Sequence, residues 1–414
     1  MVRILVFAYA CEPEEGSEPG AGWAWSRMLA HLGETWVITR SNNREAIEAG
    51  LHAIPERKAL HFVYVDLPSW ARFWKRGRRG IHLYYVLWQL AALRTARRLH
   101  ARNRFHLTWH LTLANAWLGS AAPLVGPRFV YGPIGGGVTA PLGLLPSLGP
   151  RGAVFEVLRS TGRGMGRFTN PLARVAWRRA GLILVQNEET REWLPRKYRV
   201  KAEVFPNIVL DRPSPAPRLE SLPKRLLFAG QLTPLKGGAL AIRSMTALPG
   251  WGLDVYGSGP DEGRLRRLAR RLGVDDRVNF HGTVSRSTLL EVMSERAHVF
   301  LSLTLHEEGG WAVAEALSSG LPVLCLDRGG PPLLGGHPLQ ARTPDALARE
   351  VAAVLGGEHL EPPPGPHFDQ ASRLEELTAV LDSHGLLPPI QEAAPLSEGS
   401  NQRGSLLGIR GDTP

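Results

Sequence analysis

Cysteine is nearly absent: the 414 residues hold only Cys11 and Cys325. Two thiols so far apart build neither a disulfide framework nor a tetrahedral zinc site, so a reducing cytoplasm is the expected compartment. No run of 18 uninterrupted apolar residues occurs, and no membrane-spanning helix is expected. The opening MVRILVFAYA lacks the length and flanks of a secretory signal and reads as a buried first strand. Lysine is scarce, six residues against 43 arginines. Acidic residues are missing altogether between Asp66 and Glu156, an interval that carries twelve basic ones, more than the whole net charge of +11. A basic face this concentrated attracts phosphates, either of nucleic acid or of anionic lipid headgroups. The same segment holds Trp70, Phe73, Trp74 and the aromatic stretch Tyr84 to Trp88, a combination that suits an anionic membrane surface. A buried core helix with solvated arginines is the competing reading. Nucleic acid is not expected as a partner, because no recognition helix, zinc site or aromatic platform motif accompanies the charge.

What is present is a large apolar fraction, 43% of residues against 21% charged, enough for a sizeable core in two to three domains. Short apolar runs alternate with helical patterns. RILVFAYA, TWVITR, LHFVYVDLP, HLTWHL, RFVYGPIGGG, AGLILVQ and AEVF read as strands of one lobe. A proline-rich linker follows at 211–223, and the alternation restarts with RLLFAGQL, WGLDVYGSG, RVNFHGTV, HVFLSLT and LPVLCLD. Alternation of this kind predicts parallel sheets with right-handed crossovers, hence an α/β chain of two Rossmann-like, doubly wound lobes facing a cleft. The expected division is residues 1–210 for the first lobe and 224–366 for the second. Beyond it come a helix at 367–386, able to return to the first lobe, and a disordered tail at 387–414.

Open parallel sheets bind ligands beyond the carboxyl ends of their strands, so the loops there are the informative ones. After the first strand, EEGSEPGAGW offers Gly20 and Gly22 for close backbone approach and the N–H groups of a following helix. After RLLFAGQL, the lysine of TPLKGG, Lys236, is a compact cation just before a helix start, suited to a diphosphate. VYGSGP has Gly257 and Gly259 but does not complete a dinucleotide fingerprint, since Glu262 holds the third glycine position. His110 is read at the end of its strand. In HEEGGWAVAEALSSGLPV, Gly309 and Gly310 precede a helix whose amides favour an anion. Glu307 and Glu315, eight apart, can face one pocket and accept hydrogen bonds from hydroxyls. Glu308 is left unassigned, as a solvated carboxylate.

Taken together, EGSEPGAGW, FAGQLTPLKG, VYGSGP, FHGTV and EEGGWAVAEALSSGLPVLCLDRGGPP resemble, in order and spacing, a retaining glycosyltransferase of family 4 (group 1) with the GT-B fold. The likeness extends over residues 1 to about 385. It implies a metal-independent hexosyltransferase, without a cofactor, moving a sugar from a nucleoside-diphosphate sugar to a hydroxyl of a lipid-linked or saccharide acceptor in polysaccharide or glycolipid biosynthesis. Such an enzyme would be cytoplasmic or peripheral at the inner membrane face. The implied catalytic residues are Glu307 at the donor sugar, His110 at its anomeric end and Lys236 at the leaving diphosphate. The implied binding residues are Glu315 at the ribose, Val284 near the base, Gly257, and the amides of Gly309, Gly310, Trp311 and of the loop around Gly20 and Gly22. Gln231 stands where the family usually carries an arginine; Arg243 or Arg264 is the expected compensating cation. A sugar-nucleotide epimerase on the same fold, a catalytically silent relative and a basic nucleic-acid-binding protein are the alternative readings.

Overall fold

The computed structural model describes residues 2–68, 80–126, 128–210, 223–357, 360 and 368–387. Nearly all of the proline-rich linker, the tail from 388, and Trp70, Phe73 and Trp74 lie outside the described residues. The first sheet comprises β1 (Val2–Ala8), β2 (Gly33–Thr39), β3 (Leu60–Tyr64), β4 (Leu107–Thr112), β5 (Phe129–Ile134), β6 (Leu182–Val185) and β7 (Ala202–Val204). All its pairings are parallel, in the order β3-β2-β1-β4-β5-β6-β7. The second comprises β8 (Arg225–Ala229), β9 (Gly252–Tyr256), β10 (Val278–Gly282), β11 (Val299–Ser302), β12 (Val323–Leu326) and β13 (His337–Leu339). It too is parallel, in the order β10-β9-β8-β11-β12-β13. Strand order therefore reverses between β1 and β4 in one lobe and between β8 and β11 in the other. Those are the crevices where such sheets take ligands.

The helices of the first lobe are α1 (Ser17–Ala30), α2 (Arg44–Leu51), α3 (Ile81–Asn103), α4 (Gly149–Thr169), α5 (Pro171–Arg179), α6 (Glu188–Trp193) and α7 (Arg196–Arg199). The second lobe carries α8 (Gly238–Ser244), α9 (Glu262–Leu272), α10 (Arg286–Glu295), α11 (Trp311–Ser318) and α12 (Pro344–Gly356), and α13 (Gln370–Ser383) closes the described chain. Helices on both faces explain why β1 is apolar at every position from Ile4 to Ala8 rather than alternating. Its Leu5 and Phe7 feed one core, while Ile4, Val6 and Ala8 feed the core on the opposite face. β8 does the same, with Leu226 and Phe228 on one side and Leu227 on the other.

Two segments cross between the lobes. The 3-10 segment Leu142–Leu148, within the expected first lobe, buries Leu144 and Leu148 in the core of the second. Helix α13 follows the second lobe in sequence yet packs on α1, sinking Leu377 and Leu381 into the first-lobe core. Arg373 fastens it by donating to the Pro206 carbonyl at 2.7 Å.

The aromatic residues of α3 correct the expectation of a membrane-facing stretch from Tyr84 to Trp88. Tyr84, Tyr85 and Trp88 are core residues, and Trp88 Nε1 donates to the Val65 carbonyl at 2.9 Å. The helix turns its aromatic face inward because β1, β2 and β5 present Leu5, Phe7, Ile38, Phe129 and Tyr131 to the same core. Among the described residues no helix is long and apolar enough to cross a membrane.

Leu377→Ala should destabilise the chain by about 2–5 kcal/mol, because it empties a fully enclosed site between α13 and α1. A lowered midpoint in urea unfolding followed by tryptophan fluorescence checks this. An unchanged midpoint would mean that α13 is not structurally coupled to the first lobe.

Candidate functional site

A cavity of about 550 Å³ lies in the cleft between the two strand-order reversals. Gly16, Ser17 and Glu18 line it from the loop after β1, and Gln186 and Asn207 from the ends of β6 and β7. The opposite wall comes from Gly230 and Gln231 after β8, Lys236, and the stretch from Glu307 to Trp311 with Glu315. Lys236 reaches this wall from a 3-10 turn at Pro234–Lys236, which Gly237 ends with φ near +80°. Its Nζ donates to Glu307 Oε2 at 2.7 Å. Glu315, one turn into α11, is buried, and Arg286 at the start of α10 donates to its Oε1 at 2.7 Å. Gly310 takes φ near +101°, a conformation that L side chains rarely adopt, and so lets α11 begin with its first amides directed at the cavity.

Around this cavity the lobes are stitched together. Glu308 reaches from the second lobe into the first: its carboxylate accepts from Asn187 Nδ2 and Thr190 Oγ1, both at 3.0 Å, and from the Val138 amide at 3.3 Å. It is therefore an interlobe clasp and not the solvated carboxylate expected. Sequence could not reveal this, since its partners lie more than a hundred residues away. Trp311 Nε1 donates to Asn207 Oδ1 at 3.2 Å, and the Gly329 amide to Glu189 Oε1 at 2.8 Å. His306 Nε2 accepts from Arg163 Nη1 at 2.6 Å. Burial, with Arg159 and Arg163 adding to it, pushes the His306 imidazole down to about 2, so it stays neutral. The glycines fit this crowding. A Cβ on Gly309 would come within 2.4 Å of Gln186 Oε1, and one on Gly135 within 2.9 Å of the Glu308 side chain.

Two further cavities adjoin the first. One of about 350 Å³ shares Gly230 and Gln231 with it and adds Tyr256, Gly257, Thr283 and Val284. Another, of about 640 Å³, lies on the first-lobe side and shares Glu18, Gln186 and Glu308. It is lined by Asn115, Trp117, Gly135, Gly136, Phe155, Arg159 and Arg163 among others. Glu18 thus stands at the junction of two cavities. Burial raises its carboxyl pKa, partly offset by the Leu113 amide, which donates to Oε2 at 2.9 Å.

Of the residues singled out in the sequence, Glu307, Glu315, Lys236, Gln231, Gly309, Gly310 and Trp311 share the central cavity. Gly257 and Val284 share the neighbouring one with Gln231. Three are placed elsewhere. His110 is inside β4 rather than at its end. It is fully buried, with Nε2 at 3.0 Å from the Tyr85 hydroxyl, and it lines none of the cavities described above. Burial lowers its imidazole to about 3, which keeps the ring neutral. Gly20 and Gly22 lie within α1, which begins at Ser17, earlier than the glycine pattern suggests. Their missing Cβ atoms bring α1 against the backbone: a Cβ would meet the Glu15 carbonyl at 2.0 Å and the Ala10 carbonyl at 2.1 Å. Gly16, Ser17 and Glu18 line the cavity instead. Neither arginine expected to compensate for Gln231 is at the site. Arg243 pairs with Asp345, and Arg264 is held by Asp261 and the Ser147 carbonyl. The residues missed were Glu18, Gln186, Asn207 and Arg286; only the switch-point position of the loop after β1 hinted at the first. Among the described residues no cluster of three or more His, Cys, Asp or Glu side chains is arranged to hold a metal ion.

Residues 214–359 match the model of the glycosyl transferases group 1. The second lobe is a group 1 glycosyl transferase domain. A GDP-mannose-dependent alpha-(1-6)-phosphatidylinositol monomannoside mannosyltransferase of Mycobacterium tuberculosis is 30% identical over 256 residues, 53% of this chain and 65% of the relative. A D-inositol 3-phosphate glycosyltransferase of Streptomyces griseus is 32% identical over 153 residues, 32% of each chain. The matches thus span 65% and 32% of the length of these relatives. Among solved structures, the lipopolysaccharide outer core galactosyltransferase WaaB in its apo form superposes with TM-score 0.60 at 13% identity, covering 92% of this chain and 99% of that one. Anabaena Alr3699/HepE in complex with UDP and glucose gives TM-score 0.54 at 14% identity, covering 92% and 100%. The chain therefore has the two-lobed GT-B architecture.

Glu308→Ala should detach the second-lobe loop from β5 and α6, because three hydrogen bonds to one carboxylate vanish together and leave Asn187 and Thr190 half-satisfied. The expected outcome is a lower melting temperature and a larger radius of gyration in small-angle scattering. A variant as compact and stable as the parent would remove the clasp from the account.

Proposed function

We propose that this chain transfers a glycosyl residue from a nucleoside-diphosphate sugar to an acceptor hydroxyl, with retention and without an obligatory metal, in glycolipid or polysaccharide synthesis. The observation that carries the reading is the Lys236–Glu307 pair set before the amides of α11. One cation and a row of N–H groups suit the diphosphate, and the carboxylate beside them suits sugar hydroxyls. The adjoining cavity with Val284 and Tyr256 takes the base, and Glu315, oriented by Arg286, takes the ribose. Negative charge grows on the departing diphosphate, so donors fixed in advance are worth more to the transition state than to the ground state. When the donor arrives, Lys236 exchanges part of its contact with Glu307 for phosphate, which leaves Glu307 to accept from the sugar. Lys236 is the sole cation among the described residues lining the central cavity, and Gln231 brings a neutral amide to its rim. The phosphate charge is therefore met mainly by backbone dipoles.

The second cavity, reached past Glu18, supports transfer over epimerisation, because an epimerase needs no room for a carbohydrate-sized second substrate. We read it as the acceptor side, with Trp117 and Phe155 as apolar walls. The named relatives act on inositol-containing acceptors, and a headgroup rich in hydroxyls is the class we assign here.

Thermal shift against a panel of UDP-, GDP- and ADP-sugars is the first test. A single donor class should raise the melting temperature, increasingly as its concentration exceeds Kd. With that donor, Lys236→Met and Glu307→Ala should each lower kcat/KM by about 10²–10³, and chelators should leave the rate unchanged. Full turnover by Glu307→Ala would defeat the site. Glu18→Ala should raise the acceptor KM while leaving donor stabilisation intact; loss of donor binding instead would move Glu18 out of the acceptor side.

A further inference from the structure

Helix α4 carries the most concentrated apolar exposure in the described chain. Val154, Phe155, Val157, Leu158 and Met165 are each between 50% and 66% exposed. Val154, Leu158 and Met165 fall on one helical face, with Phe155 at its edge. Gly162, on the same face, has nothing within 4 Å of where its Cβ would stand, and neither has Gly164. The opposite face is fully engaged. Glu156 is buried and bonded to Arg159 and Ser160, Arg163 donates to the Val138 carbonyl, and Gly166 packs on Trp117. A helix with one satisfied face and one bare apolar face is missing its second partner.

Charge and continuity indicate that partner. Arg151 borders the bare face, whereas Arg159 and Arg163 are engaged on the opposite one, and the single carboxylate of α4, Glu156, is turned inward. No acid on the helix would repel an anionic surface, and none precedes it in sequence back to Asp66. Phe155 lines both the outer apolar patch, with Pro150, Arg151, Val154 and Leu158, and the first-lobe cavity read above as the acceptor side. The bare face and that cavity are thus continuous.

We infer that α4 is an interfacial helix that beds into an anionic lipid bilayer and delivers the headgroup of a lipid-borne acceptor past Phe155 into the adjoining cavity. The delivery half rests on the proposed transferase reading; the docking half does not. Apolar side chains enter the acyl boundary while Arg151, which borders the bare face, stays at headgroup level. This assigns the membrane contact to α4 and not to α3, whose Leu83, Val86 and Leu90 are also exposed.

Sedimentation of the full chain with phosphatidylcholine vesicles, with and without phosphatidylglycerol, tests the docking. Binding should require the anionic lipid and weaken with salt. Val154→Glu with Leu158→Glu should reduce it by about tenfold or more, while nucleotide-sugar stabilisation in thermal shift stays at the parental level. Because both native cysteines are buried, an environment-sensitive dye on Leu158→Cys gives an independent readout, with a blue shift expected on vesicle addition. The inference is overturned if the parent chain does not sediment, if the double variant sediments like the parent, or if the dye does not respond. It is equally overturned if Leu83→Glu with Leu90→Glu abolishes binding in place of the α4 variant, or if the α4 variant only converts a dimer to a monomer. Failure of vesicle binding with donor stabilisation retained removes this inference alone. Vesicle binding without stabilisation by any nucleotide-sugar removes the transferase reading and leaves the docking standing.

Discussion

The cleft depends on one carboxylate. Glu308 belongs to the second lobe by chain and to the first by bonding, and its three acceptor contacts fix where the β11–α11 loop sits against β5 and α6. Because Glu307 precedes it and Gly309 follows, the position of that loop sets the site. If Glu308 moved outward, the Lys236 pair and the α11 amides would no longer face Glu18. The glycine run Gly135–Gly137 belongs to the same constraint. A side chain at Gly135 would strike Glu308, and one at Gly137 would strike the Thr190 backbone at 2.3 Å. Sequence shows three glycines; the structure shows that they make room for a clasp.

The carboxylates around the central cavity are mostly engaged already. Four carboxylates line it, those of Glu18, Glu307, Glu308 and Glu315, against the single ammonium of Lys236. Three of them are already committed: Glu307 to Lys236, Glu308 to the clasp, Glu315 to Arg286. Breaking a half-buried pair without replacing it leaves an uncompensated charge, which is more costly than the pair is favourable. A ligand entering here must therefore substitute for what it displaces. Phosphate can do so for Lys236 and hydroxyls can do so for Glu307, whereas an apolar ligand can do neither.

Much of the architecture was legible because apolar runs with short spacing admit few topologies. Continuous burial of β1 and β8 on both faces dictates helices on both sides, and parallel strands dictate crossovers. The second-lobe wall of the cavity was legible for a related reason: Lys236 and Glu307 lie directly beyond strand ends, Glu315 one turn into the helix that follows, and the neighbouring glycines mark the turns. The first-lobe part was not. His110 looks like a loop-end histidine, but a strand buried on both faces extends past it and turns its ring toward Tyr85. Gly20 and Gly22 look like a ligand-approach loop, but the same small size serves helix packing, and only the start of α1 at Ser17 distinguishes the two uses. Pairings such as Glu308 with Thr190 join residues 118 apart, a separation that no local pattern encodes.

Backbone strain adds a further constraint on Glu18. Among the described residues, four that are not glycine have positive φ: Glu14 at 62°, Ser17 at 59°, Arg104 at 48° and Leu113 at 51°. Three of the four belong to the two loops that meet at Glu18. Ser17 precedes it, Glu14 lies in the loop leading to it, and Leu113 donates the amide that holds its Oε2. A leucine in the left-handed region is disfavoured by about 1–2 kcal/mol and persists only where surrounding contacts over-determine it. The two strained loops come from β1 and β4, the strands that flank the order reversal, so the strain is concentrated at the crevice. Relaxing either loop would free the carboxyl to turn toward solvent. The strained arrangement instead keeps a desolvated acid between two cavities, where an ionised form would seek a donor and a neutral form could itself donate. That location, more than any motif in the chain, gives the first lobe a chemical role beyond providing a wall for the second.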